Sequence, residues 1–135
     1  MALRWGDFAN MRRLMIASSL PNTFSGCDLD RYQVAWAKPG ALSGMLGWYR
    51  AIFRNTLRRP APRIGRITPP TLILWGEKDI ALSIKVAEQS VSYLADGKLI
   101  RFPDATHWIH QDKSEEVTRH LLTHFTTPAR DPTGF

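Results

Sequence analysis

Apolar residues between positions 1 and 59 recur at helical intervals, whereas between 60 and 127 they gather into short blocks. Met11, Leu14 and Met15, with Leu3, Phe8 and Ile16 nearby, predict a short amphipathic helix ended by Pro21. Tyr32, Val34 and Trp36 predict a second helix, with Asp28 or Asp30 as its N-cap and Lys38–Pro39–Gly40 as its stop. The third pattern is the clearest. Leu42, Met45, Leu46, Tyr49, Ile52, Phe53 and Leu57 keep a 3.6-residue spacing, with Arg50, Arg54 and Arg58 along another face. No strand pattern occurs in this half.

Arg59–Pro60–Ala61–Pro62–Arg63 breaks the chain, and beyond Ile67–Thr68–Pro69–Pro70 the period changes. Thr71–Leu72–Ile73–Leu74–Trp75 is a continuous apolar run, the mark of a strand covered on both faces. Gly76–Glu77–Lys78–Asp79 reads as a turn. Ser83 to Leu94 reads as a helix with Val86, Ala87, Ser90 and Leu94 inward, and Lys98 to Phe102 as a second strand. Asp112 with Glu115 three residues on has the form of a capping box for a last helix bearing Val117, Leu121, Leu122 and Phe125. The organisation expected is a helical segment 1–59, an α/β segment 60–127 and a flexible tail 128–135. Strand–helix–strand–helix is the signature of a parallel sheet. Two parallel strands make a poor sheet with an open edge, so this half reads as part of a larger one.

At 135 residues and 44% hydrophobic, the chain supports one modest core. No stretch approaches the roughly 20 apolar residues of a membrane span, and the start, MALRWGDFANMRR, lacks the basic-then-apolar order of a secretory signal. One cysteine, Cys27, excludes an internal disulfide and fits a reducing compartment, so a cytoplasmic location is expected. The net charge of +6 is uneven. Residues 1–66 carry 11 Lys/Arg against 3 Asp/Glu, and residues 67–135 carry 7 against 9. The basic half raises nucleic acid as a partner. Its arginines follow a helix face instead of a run with exposed aromatics, so a solvated face is the preferred reading.

In open α/β sheets, functional groups collect beyond the carboxyl ends of the strands. Asp79 lies four residues past Trp75 and His107 five past Phe102, so both project from the same sheet edge. A carboxylate that accepts from one imidazole N–H fixes the tautomer and leaves the other nitrogen to move protons. His120 and His124 share a helix face at i, i+4 but have no third ligand at useful spacing, so surface histidines and no metal are expected. His110 reads as a loop or helix-start residue and Glu77 as a solvated turn charge.

The run PPTLILWGEKDIAL and, after the intervening helix, KLIRFPDATHWIHQDKSEEV resemble the last two strand–loop units of the α/β-hydrolase fold. In that family the acid follows a strand in a G-x-x-D turn, the histidine opens a loop before the final helix, and the nucleophile comes earlier in the chain. The resemblance makes Asp79 the acid and His107 the base. Thr106 stands where the family usually has Gly. A β-branched residue disfavours positive φ, so a shifted loop or re-aimed imidazole is expected. Neither G-x-S-x-G nor H-G-x-P occurs, and Ser25 and Ser43 lie in the helical half with no preceding strand.

LDRYQVAWAKPGALSGMLGWYRAIFRN resembles the end of the helical cap of epoxide hydrolases, in which a helix of the type N-W-Y-R presents a tyrosine. Tyr49 matches that position, with Gly47 where Asn is common. The resemblance implies that Tyr49 donates to an epoxide oxygen, that Trp48 and Trp108 line a small apolar substrate, and that no cofactor is used. The reading is therefore the C-terminal part of an epoxide hydrolase-like enzyme, inactive by itself. A Ser-dependent esterase or C–C hydrolase is the alternative within the fold. A non-catalytic remnant that self-associates or joins a partner chain along its open edge is the alternative outside it. A membrane is excluded as partner, and nucleic acid is the least favoured.

Overall fold

The structure, a computed structural model, describes residues 8–58 and 65–127. The expected tail 128–135 and the Arg59–Arg63 break lie outside the described residues. Contacts divide the chain into two units, residues 1–17 with 24–64 and residues 18–23 with 65–135. The short stretch Ser18–Thr23 thus belongs with the α/β part of the chain although helices flank it in sequence.

The first unit contains α1 (Ala9–Ala17), α2 (Gly26–Ala37) and α3 (Ala41–Arg58). α1 ends at Ala17, before the proline expected to stop it. α2 begins earlier than Asp28 and Asp30 suggest. Ser25 is its N-cap, and the carboxylate of Asp28, at the third helical position, accepts in return from the Ser25 backbone N–H. Asp28 is therefore the far arm of a capping box. Phe8, Met15, Leu29 and Trp36 are buried, with Trp36 tilted against both Phe8 and Tyr32 at 5.9 and 5.8 Å. Arg12 ties α1 to α2 through Asp30 at 2.6 Å and Gln33 at 2.8 Å. The apolar stripe of α3 is exposed at Met45, Trp48, Tyr49, Ile52 and Phe53.

In the second unit β1 (Thr71–Gly76) and β2 (Gly97–Phe102) pair in parallel, Thr71 opposite Gly97 through Gly76 opposite Phe102. Between them runs α4 (Ile84–Val91), capped by Ser83. It ends three residues short of the expected Leu94. Ala87 and Leu94 are buried as expected, but Val86 faces solvent. β1 is half-buried along Thr71–Trp75, not covered on both faces. β1 has β2 along one edge and, among the described residues, no strand along the other. Past β2 come α5 (Ile109–Asp112) and α6 (Ser114–Thr126). The core comprises Phe102, Ala105 and Val117, with Leu74, Ile100 and Ile109 packed on it. It lies directly beneath the carboxyl ends of the strands. Leu122 and Phe125 of α6 are exposed. Among the described residues, no helix is long and apolar enough to cross a membrane.

Candidate active site

The turn after β1 is closed by its own residues. Asp79 Oδ1 accepts from the backbone N–H groups of Ala81 at 2.8 Å and Leu82 at 3.1 Å, the Asx geometry that short acidic side chains favour. Gly76 opens this turn at a point where no side chain fits. A Cβ there would come within 2.6 Å of the Ala105 carbonyl oxygen and closer still to that of Thr106. The loop after β2 therefore crosses directly over Gly76. Two backbone bonds sew them together, from Glu77 N–H to the Phe102 carbonyl at 3.0 Å and from Lys78 N–H to the Ala105 carbonyl at 2.9 Å. This close approach explains why a glycine begins the G-x-x-D turn. Its signal in the sequence was a lone glycine at a strand end.

The loop after β2 is held from farther away. Asp112 does not cap α6. Lys113 separates α5 from α6 and makes no side-chain cap bond. The Asp112 carboxylate instead accepts from the Thr106 N–H at 2.8 Å and the Thr106 hydroxyl at 2.6 Å through Oδ2. Its Oδ1 accepts from the Thr23 hydroxyl at 2.7 Å. Thr106 is buried, and its φ is not positive. The β-branched residue is accommodated because its hydroxyl and N–H converge on one carboxylate, so the strain expected at the glycine position does not arise. On the far side of the histidine, the Trp108 indole N–H donates to Ser18 Oγ at 2.9 Å.

These two loops bring Asp79 and His107 together. His107 Nδ1 lies 2.8 Å from Asp79 Oδ2. The Asp79 side chain is 7% exposed and that of His107 45%, an orienting carboxylate underneath and an imidazole edge open to solvent. Burial pushes the Asp79 carboxyl upward. The hydrogen bonds from His107, Ala81 and Leu82 outweigh it and leave the group below its ordinary 3.8. An ionised Asp79 accepting from Nδ1–H leaves Nε2 as the lone-pair nitrogen, in position to take a proton. Asp112 is likewise held below 3.8. Burial raises it, and the Thr106 and Thr23 hydrogen bonds more than offset that.

Glu77 pairs with Arg101 at 3.6 Å and not with the histidine. His110 lies beside Trp108, and His120 stands edge-on to Phe102. Trp48 and Tyr49 are carried on α3 of the first unit, 70% and 61% exposed. Two concavities of the second unit lie away from the pair. One runs along α6, and the other, about 410 Å³, sits at the opposite strand ends beside Thr71, Gly97 and His124.

Two parallel strands with an acid after the first and a histidine after the second are the closing units of one known architecture. The family described as alpha/beta hydrolase fold matches residues 17–114. The chain belongs to that family. It is 35% identical over 121 residues to an AB hydrolase superfamily protein of Bacillus subtilis, YfhM, covering 90% of this chain and 41% of that protein. It is 32% identical over 123 residues to human epoxide hydrolase 4, covering 87% of this chain and 33% of the relative. Among solved structures, a Bacillus megaterium epoxide hydrolase in complex with an inhibitor superposes with a TM-score of 0.79 at 22% identity. That match covers 93% of this chain and 46% of the other. The α/β-hydrolase chain thus spans less than half the length of these relatives.

Proposed function

We propose that this chain supplies the acid, the base and a lid tyrosine of an epoxide hydrolase-type reaction, with the nucleophile on a segment outside these 135 residues. The observation that carries the reading is the 2.8 Å contact between His107 Nδ1 and Asp79 at the carboxyl ends of adjacent strands. In the reaction, a nucleophile carboxylate attacks an epoxide carbon. The carbon–oxygen bond breaks, and the departing alkoxide takes a proton from the Tyr49 phenol. His107 Nε2 then removes a proton from water, and the hydroxide adds to the ester carbonyl. The ester carbon–oxygen bond breaks, and the departing alkoxide takes the added hydroxyl's proton to give the diol. The nucleophile is left as carboxylate, and the imidazolium proton returns to the Tyr49 phenolate. Asp79 stabilises the imidazolium that forms. Trp48 and Trp108 contribute apolar surface to the substrate site.

Support for epoxide chemistry over other members of the fold comes from the homologues named epoxide hydrolases and from the Gly47–Trp48–Tyr49–Arg50 run on α3. The test is the reading frame upstream of the Met1 codon together with a diol-release assay. An in-frame H-G-x-P and a strand–elbow carrying Asp, with diol formed only when that segment is present, is the expected result. An elbow with Ser moves the chemistry to esters or C–C bonds. The lack of any elbow makes the chain a binding remnant.

A further inference from the structure

Both chain neighbours of His107 are anchored to the same distant stretch of sequence. Thr106, just before it, gives its N–H and hydroxyl to Asp112, which also accepts from Thr23. Trp108, just after it, gives its indole N–H to Ser18. Ser18 and Thr23 are the two ends of the short segment that groups with the α/β unit. The Asp112 carboxylate has one oxygen for each side, Oδ2 for the histidine loop and Oδ1 for the segment. The loop's backbone is tied to the acid turn at Ala105, through the Lys78 N–H, while the residues on either side of His107 are tied through side chains. The loop carries no glycine between Phe102 and Lys113.

We propose that Asp112, Ser18 and Thr23 form a clamp that positions His107, fixing the loop on both sides of the imidazole so that Nδ1 stays on Asp79. The three are positioning residues, since none touches the imidazole. The clamp rests on the acid–base reading of the Asp79–His107 pair and adds residues to it. A carboxylate suits position 112 because the Thr106 N–H and hydroxyl, the Thr23 hydroxyl and the Leu20 N–H all donate to it. An Asn there keeps one acceptor oxygen in place of two and carries no charge; its NH2 group can donate to the Thr23 hydroxyl but gives no bond to a backbone N–H. Shared charge-assisted bonds of this kind are stronger than neutral ones, so their loss loosens the loop without removing any core side chain.

The test is side-chain NMR on the purified 135-residue chain with labelled histidine, following exchange of the His107 Nδ1 proton with water. In the unsubstituted chain the proton is expected on Nδ1 and slow to exchange. Asp112→Asn is expected to speed that exchange about tenfold, the loss of roughly one charge-assisted hydrogen bond. Ser18→Ala and Thr23→Val should each give a smaller increase, and Asp112→Glu should restore part of the protection. Val117→Ala, in the core and outside the clamp, serves as a control of lowered stability. Faster exchange in Asp112→Asn than in a Val117→Ala chain of equal melting temperature supports positioning. Equal rates in the two would overturn the clamp and leave the acid–base pair intact. A proton missing from Nδ1 in the unsubstituted chain would instead overturn the pair, and the clamp with it.

Discussion

The turn that carries Asp79 and the loop that carries His107 solve the same task by opposite means. The acid turn is local. Its carboxylate is fixed by N–H groups two and three residues ahead, and its glycine lets the neighbouring loop pass. The histidine loop is long-range. Its brace, Asp112, is five residues on, and the group that completes it, Thr23, is 89 positions away. The difference teaches why one half of an acid–histidine pair is easily recognised from a short motif while the other half depends on the whole fold.

The comparison breaks most severely if either partner of the pair is removed. In any form of the protein that turns over an epoxide, Asp79→Asn or His107→Ala should lower kcat by about 10⁴-fold, as loss of an orienting carboxylate does elsewhere. Steady-state diol release measures it, and a loss under tenfold would mean that the pair is not the acid and base. The next largest effect falls on the seam between the two loops. Gly76→Ala places a methyl against two backbone carbonyls and should destabilise the chain by about 3 kcal/mol, the upper range for overpacking. Urea unfolding measures this, and a neutral outcome would show that the loops do not cross as described.

The same contrast decides what could be read from sequence. The strands, the α3 periodicity and the positions of Asp79 and His107 were legible because each has a local cause: an apolar run, a 3.6 spacing or a turn after a strand. Asp112 was misread because an acid followed three residues later by Glu has the local form of a capping box. Its true donors, Thr106, Thr23 and the Leu20 backbone, leave no mark in the residues around it. Thr106 looked strained only because its hydroxyl had no visible acceptor. Val86 and the faces of β1 were expected to be buried because an apolar pattern does not say how many strands will lie alongside. On α3, Trp48, Tyr49 and Phe53 are exposed although their spacing is that of an apolar face.

Smaller perturbations sharpen the contrast. Thr23→Val leaves the acid turn untouched but removes one donor from the half-buried Asp112 carboxylate, and should cost about 1 kcal/mol by thermal unfolding. Amide exchange should show Thr106 losing protection while Ala81 and Leu82 keep theirs. Loss at all three would merge the two loops into one cooperative unit.

The pH dependence of stability follows from the same two carboxylates. Both titrate below 3.8 in the folded chain, so the unfolded state binds more protons in that range. Their stabilisation is complete above 3.8 and is lost as the pH falls below it through the depressed values. Acid unfolding of Asp112→Ala should therefore show a flatter slope below 3.8 than the parent chain, and an unchanged slope would argue against the Thr106 and Thr23 bonds. The smallest effect is expected on α3. Trp48→Ala, at a 70% exposed position, should change stability by no more than about 0.5 kcal/mol. A larger loss would show that its ring is packed in solution.

The central claim is that Asp79 holds His107 in the tautomer that leaves Nε2 to accept a proton. Nitrogen chemical shifts of the His107 ring at neutral pH, in the parent chain and in Asp79→Ala, test it most directly. The account predicts a protonated Nδ1 and a bare Nε2 in the parent, with that preference lost on substitution. A proton on Nε2, or a ring indifferent to Asp79→Ala, would contradict it.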